Sequence, residues 1–225
     1  MLIFHLNPLE AAIFSFLVSI ALVLSFVMLG SHWLKNHIYA FAGESWIIAL
    51  LSAGIAYYGH FDELYLIALL TAVFRGSLLP YLLFRLINKL NINREFTPIF
   101  RPSSAMIFGA FLVLIAFAMS RALGLKLGLP TIAVIALTAM FGLKLIGFLL
   151  MVLRSEAVSH ILGLLVIENG IFLGSQILVP GLPFLLELVI LFDLLIIVLT
   201  FGILVRYLKT HAGTTSSRQL NRLVG

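Results

Sequence analysis

Uninterrupted apolar runs close to 20 residues long recur along this chain, and each is about the length that spans the hydrocarbon core of a bilayer as a helix. The stretch LLIIVLTFGILV, Leu194 to Val205, is an example without a single charge. In lipid every backbone N–H and C=O must be satisfied within the protein, so only helices or closed barrels can cross. A barrel requires segments of about 10 residues that alternate polar and apolar, and these runs do not alternate. The expected fold is therefore all-α and polytopic. Composition supports this: 62% of the 225 residues are hydrophobic and 10% charged, whereas soluble domains carry about a quarter charged residues.

Seven spans are expected, near 9–29, 38–59, 64–87, 103–120, 131–153, 161–179 and 184–207. Two connections are longer than the rest, 88–102 with its basic residues and 121–130 with Gly124, Gly128 and Pro130. Four segments follow. Residues 1–102 form a first three-helix unit with a basic loop, and 103–130 a linking helix with its loop. Residues 131–210 form a second three-helix unit, and 211–225 a polar tail. The first run lacks the basic flank of a signal peptide and reads as a retained helix. Shifting the chain by 124 residues places Glu44 on Glu168, Glu63 on Glu187 and Ser31 on Ser155. That pattern suggests two parallel three-helix repeats joined by one helix, although identities elsewhere are sparse.

Basic residues fix the expected orientation. With seven spans, Lys35, Arg85, Lys89, Arg94, Arg101, Arg154, Arg206, Lys209, Arg218 and Arg222 fall on one side, and Arg121 and Lys126 on the other. The C-terminus is then cytoplasmic and the N-terminus outside. The same bias explains the net charge of +5 as membrane anchoring rather than nucleic-acid binding. The absence of cysteine excludes disulfides and thiolate-held zinc or iron–sulfur centres from this chain.

Charges inside spans are costly and usually face a bundle interior or a polar path. Here they are Glu44, Arg75, Lys144, Glu168 and Asp193, with Glu63 and Glu187 closer to the span ends. By the helical rise, Glu44 and Glu168 lie roughly 10 Å from the basic side, Lys144 roughly 13 Å and Asp193 roughly 20 Å. Removal from water disfavours the charged form of a carboxylate or an ammonium, which brings both toward proton exchange near neutral pH. Glu168, Lys144, Asp193 and Glu44 are therefore candidates for a proton path. Arg75 stays charged and would serve as the charge partner of a carboxylate. The competing reading makes these groups structural ion pairs between helices. Gly170 and Gly174 form a GxxxG that permits close helix approach. His32, His37, His60 and His160 fall at span ends and read as interfacial anchors. No P-loop, dinucleotide fingerprint or nucleophile elbow is present, so the sequence offers no catalytic centre of its own.

At GLLVIENG, Gly163 to Gly170, the chain resembles the hydrogenase-4 component E family. The similarity extends through LLPYLLFRL after Arg75, RPSSAMIFGAFL at the start of the fourth span, Asp193 and the tail from Lys209. The last three spans also resemble the K-type subunit of respiratory complex I and the C subunit of Mrp-type antiporters. Those subunits place a glutamate directly after Gly-Leu, whereas here Gly163-Leu164 is followed by Leu165 and the carboxylate comes at Glu168, about one turn on. Their second glutamate corresponds best to Asp193. The resemblance implies a subunit in the membrane arm of a complex I-like energy-converting hydrogenase of the formate hydrogenlyase type, in a prokaryotic cytoplasmic membrane. It further implies antiporter-like and other membrane-arm partners, and a peripheral hydrogenase module holding nickel–iron and iron–sulfur centres, with no cofactor in this chain. A self-sufficient transporter built on the two triplets and a scaffold held by ion pairs are the rival readings.

The ten-to-two basic asymmetry makes a direct prediction. A Ser217→Cys variant should react with an impermeant thiol reagent only from the cytoplasmic side. Labelling from outside intact cells would reverse the orientation.

Overall fold

The computed structural model describes residues 7–90, 101–178, 199, 202–203 and 206–207. Among them are α1 (Pro8–Gly30), α2 (Leu34–Gly59), α3 (Asp62–Leu70), a π-helical segment (Thr71–Leu78), α4 (Leu79–Leu90), α5 (Pro102–Leu127), α6 (Thr131–Leu153) and α7 (Ala157–Leu178). The segment from α3 to α4 is one continuous span, so six helices are long and apolar enough to cross a membrane. The fold is all-α and polytopic, as the apolar runs require. The seventh expected span at 184–207, with Asp193 and the polar tail, lies outside the described residues apart from a few isolated positions.

Local chemistry sets the ends. Pro8 opens α1, where its missing N–H costs nothing, and Asn7 with Glu10 closes a capping box, the Asn7 N–H donating to Glu10 Oε2 at 2.9 Å. α5 runs past the expected boundary of the 121–130 connection and ends only at Gly128, whose φ of 63° suits a residue without Cβ. Arg121, Gly124 and Lys126 are therefore helical, because nothing before Gly128 breaks the backbone ladder. The C-cap of α2 is His60 in the left-handed region (φ 53°), its N–H donating to the Ala56 carbonyl.

The hairpins α1–α2 and α6–α7 lie side by side, with α1 against α6 and α2 against α7. α5 packs on α6 and α1, and the third span packs on α2. The two hairpins match closely. α1 and α6 are both 23 residues long, and their caps, Ser31 and Arg154, share backbone angles of −102°, 146° and −101°, 146°. The next helices open with the same pair of bonds: Asn36 and His37 N–H donate to the Trp33 carbonyl at 3.0 and 3.3 Å, and Ser159 and His160 to that of Glu156 at 3.0 and 3.3 Å. The structural register between hairpins is thus 123 residues, one fewer than the shift that aligns the glutamates. In that register Glu44 falls on Ile167, not on Glu168.

Glycine sets the tightest packing. A Cβ on Gly147 would lie 2.6 Å from the Gly163 carbonyl oxygen, and one on Gly163 would lie 2.8 Å from that of Gly147. Further along α7, a Cβ on Gly170 would lie 3.0 Å from the Met140 carbonyl oxygen, and one on Gly174 would collide with the Met140 side chain. The GxxxG of α7 thus belongs to a longer glycine stripe on which α6 lies nearly backbone to backbone. A Cβ on Gly54, by contrast, would meet nothing within 4 Å among the described residues. Gly147→Ala should therefore destabilise the protein by about 1–3 kcal/mol, while Gly54→Ala should not. Unfolding of the two variants in mild detergent measures the difference, and equal stability would refute the close α6–α7 contact.

Candidate functional site

Spans of apolar helix leave few places for polar side chains to go, and the structure collects several of them at one level of the bundle. Glu44 and Ser45 arrive on α2, Arg75 on the π-helical segment and Asn169 on α7, all buried. Arg75 is the largest fully buried side chain among the described residues. Its Nη1 donates to Asn169 Oδ1 at 3.1 Å, and its guanidinium carbon stands 4.8 Å from the centre of the Phe172 ring, a cation–π distance. Asn169 Nδ2 then donates to Glu44 Oε1 at 3.2 Å and to Ser45 Oγ at 3.1 Å. Both amide protons and the amide oxygen are therefore engaged.

Two backbone features make this convergence possible. The segment around Arg75 is wound one residue wider than an α-helix, with the Leu79 N–H and the Ser77 hydroxyl donating to carbonyls five residues earlier, Phe74 and Ala72. Such π segments recur at functional sites. Beside it, Gly76 leaves space for Trp46 of α2, since a Cβ there would lie 2.9 Å from the indole nitrogen. α2 thus packs against the third span next to Glu44 and Arg75.

Arg75 faces Glu44 across an intervening amide, so the charge of an ionised Glu44 would meet a fixed positive charge there. Such an arrangement lowers the cost of burying two charges, since each is compensated and hydrogen-bonded. The second carboxylate oxygen, Glu44 Oε2, has no hydrogen-bond partner among the described residues.

The other candidates fare differently. Gly170 abuts the Lys144 backbone, so Lys144, Glu168 and Glu44 do share a level. Yet Lys144 and Glu168 are only half-buried, and among the described residues no bond or ion pair joins them. α7 turns Asn169, not Glu168, toward Arg75 and Glu44, because adjacent helical residues point about 100° apart. Asp193 lies outside the described residues. Asn169, Ser45 and Phe172 were not legible as site residues individually. A signal did exist: polar residues recur seven apart on both helices, at Ser45 and Ser52 and at Asn169 and Gln176, and both pairs are hydrogen-bonded across the seam.

A second buried cluster holds the turns. Arg154, 4% exposed, donates through Nη2 to the carbonyls of Met28, Leu29 and Ser31 at 3.1, 2.9 and 2.8 Å. It therefore caps the negative end of α1 rather than standing in water like a loop anchor. His37 is also buried, its Nε2 donating to the Ser31 carbonyl at 2.9 Å, which corrects its reading as an interfacial anchor. Among the described residues no group of three potential metal ligands comes together.

If the Arg75–Asn169–Glu44 chain holds these helices, removing one charge should cost more than removing both. Arg75→Met should destabilise the protein by about 3–5 kcal/mol, and Glu44→Gln should recover part of that loss. Lys144→Met and Glu168→Gln should show no coupling to each other. Additive effects of Arg75→Met and Glu44→Gln in a double-mutant cycle would rule the chain out.

No family model and no solved structure matches the chain. It is similar to the uncharacterized protein Rv0085 of Mycobacterium tuberculosis (strain ATCC 25618 / H37Rv), with 32% identity over 151 residues that cover 66% of this chain and 67% of that one.

Proposed function

The chain belongs to the same family as that mycobacterial protein, and we propose that it is a cofactor-free membrane-arm subunit of a complex I-like energy-converting hydrogenase. In this reading it supplies buried charges to a proton path that links a peripheral redox module to antiporter-like subunits. One observation carries the reading: Glu44 is a fully buried carboxylate in mid-span, tied through a single amide to a permanent positive charge. A carboxylate so placed can hold or release a proton, with Arg75 as the fixed charge beside it. Asn169 can follow either state, because it bonds only one carboxylate oxygen and leaves the other for the proton.

Lys144 and Glu168, at the same level, and Asp193 in the expected seventh span are the further stations of the proposed path. The glutamate–asparagine–glycine run supports the assignment to a hydrogenase-type complex, and the basic asymmetry supports a cytoplasmic C-terminus in a prokaryotic inner membrane. The nickel–iron and iron–sulfur centres belong to partner subunits. The rival scaffold reading draws on the same bonds, since an Arg–Asn–Glu chain also locks three helices together.

Glu44→Gln separates the two. The amide keeps the shape and the bond from Asn169 while removing the titratable proton. Compared per assembled complex, so that any loss of stability from the stranded Arg75 is set aside, the variant should form its ion gradient at least about tenfold more slowly, as expected when a proton-transfer group is lost. Purified complexes in vesicles with a pH-sensitive dye provide the measurement. An unchanged gradient would assign Glu44 to the scaffold.

A further inference from the structure

The Arg75–Asn169–Glu44 triad is not the end of the polar material in this bundle. On α2, Ser52 lies two turns from Glu44 and Ser45 toward the α2–α3 turn, roughly 10–12 Å along the axis. There Gln176 Nε2 donates to Ser52 Oγ at 2.5 Å, and Ser52 Oγ donates to the Ile48 carbonyl at 2.8 Å. Both side chains are buried, and Gln176 Oε1 has no hydrogen-bond partner among the described residues. The third span starts beside the end of α2, so its numbering rises away from the α2–α3 turn. Thr71, four residues before Arg75, therefore stands about one turn nearer to that end than Arg75. It too is fully buried, and its Oγ1 is unpartnered among the described residues.

Three orphaned polar atoms, Glu44 Oε2, Thr71 Oγ1 and Gln176 Oε1, thus occupy successive levels of one bundle. Buried polar groups are rarely left unbonded, and ordered water is their usual partner when no protein group serves. One turn beyond Ser52, Ala56 lines a cavity of about 380 Å³. The rest of its wall is Tyr57, Tyr58, His60, Asp62 and Tyr65, which stand at the α2–α3 turn. The cavity therefore ends one helical turn from the first buried hydroxyl, with only a methyl side chain at that position on α2.

We infer that a hydrated half-channel runs from this cavity past Ala56, Ser52 with Gln176, and Thr71 to the carboxylate of Glu44. Its mouth is the aromatic-walled cavity at the α2–α3 turn, and its occupant is a file of water. The inference deepens the proposed function, and rests on it, by giving Glu44 access to the aqueous side opposite the turns held by Arg154. The interval between the two polar levels is bounded by Ile48, Phe172 and Leu173, so Thr71 is its polar stepping point.

The cysteine-free chain allows a clean test in membranes carrying the assembled complex. Ala56→Cys, Ser52→Cys and Thr71→Cys are each exposed to a small, membrane-impermeant methanethiosulfonate added on the side of the α2–α3 turn. Leu165→Cys, buried on α7 beyond the triad, is the dry control. Only a hydrated thiol ionises and reacts, so the first three should label at least about ten times faster than the control. Adding Ala56→Phe should slow labelling of Thr71→Cys without slowing that of a surface site. Labelling of Ser52→Cys and Thr71→Cys as slow as Leu165→Cys, in variants that assemble, overturns the half-channel. The two proposals fail separately. Slow labelling with a transport-dead Glu44→Gln removes the channel and leaves the proton path. Fast labelling with a fully active Glu44→Gln keeps the channel and removes the path.

Discussion

A single amide side chain holds this bundle to one arrangement. Asn169 receives from Arg75 and donates to Glu44 and Ser45, and so ties α7 to α2 and to the third span at once. In lipid the hydrophobic effect does not choose among helix pairings, because acyl chains are as apolar as leucine. Buried charges do choose. A packing that left Arg75 or Glu44 facing hydrocarbon would cost several kcal/mol, so alternative registers between these helices are disfavoured together. The bonds are individually modest; their selectivity comes from the cost of leaving them unmade.

Where no charge is present, contact distance takes over. α6 and α7 meet at Gly147, Gly163, Gly170 and Gly174, where dispersion between close backbones replaces side-chain interdigitation. The hairpins are fastened at the other end by Arg154 on the last carbonyls of α1. That bond joins the end of one hairpin's first helix to the turn of the other. The matched turns at 31–33 and 154–156 make such a cross-brace possible, since they place equivalent helix ends side by side. The rigid α6–α7 pair and the braced turns together hold Asn169 at a constant height opposite Glu44.

The polar groups are unevenly distributed about this frame. Toward the Arg154 end, Leu165, Ile161 and Ile38 are buried and apolar, and the buried polar residues His37, Ser159 and Arg154 follow at the turns. Toward the α2–α3 turn, Thr71, Ser52 and Gln176 continue the polar seam and meet a cavity after Ala56.

Much of the protein was legible from residue order alone. Apolar runs of the right length dictated spanning helices, because lipid permits nearly no other backbone, and the expected span at 131–153 matches α6 to the residue. The intramembrane charges flagged Glu44 and Arg75, since an uncompensated charge there is improbable. The shift that superposes Glu44 on Glu168 misled by one residue, as identity between two glutamates carries no information about turn geometry. Tertiary structure alone decided which charges meet. Glu168 and Asn169 are neighbours in sequence, yet about 100° of helical rotation puts the neutral amide, not the acid, between Arg75 and Glu44. The direction in which a helix faces is set by what packs against its glycines and turns, and no single span encodes that.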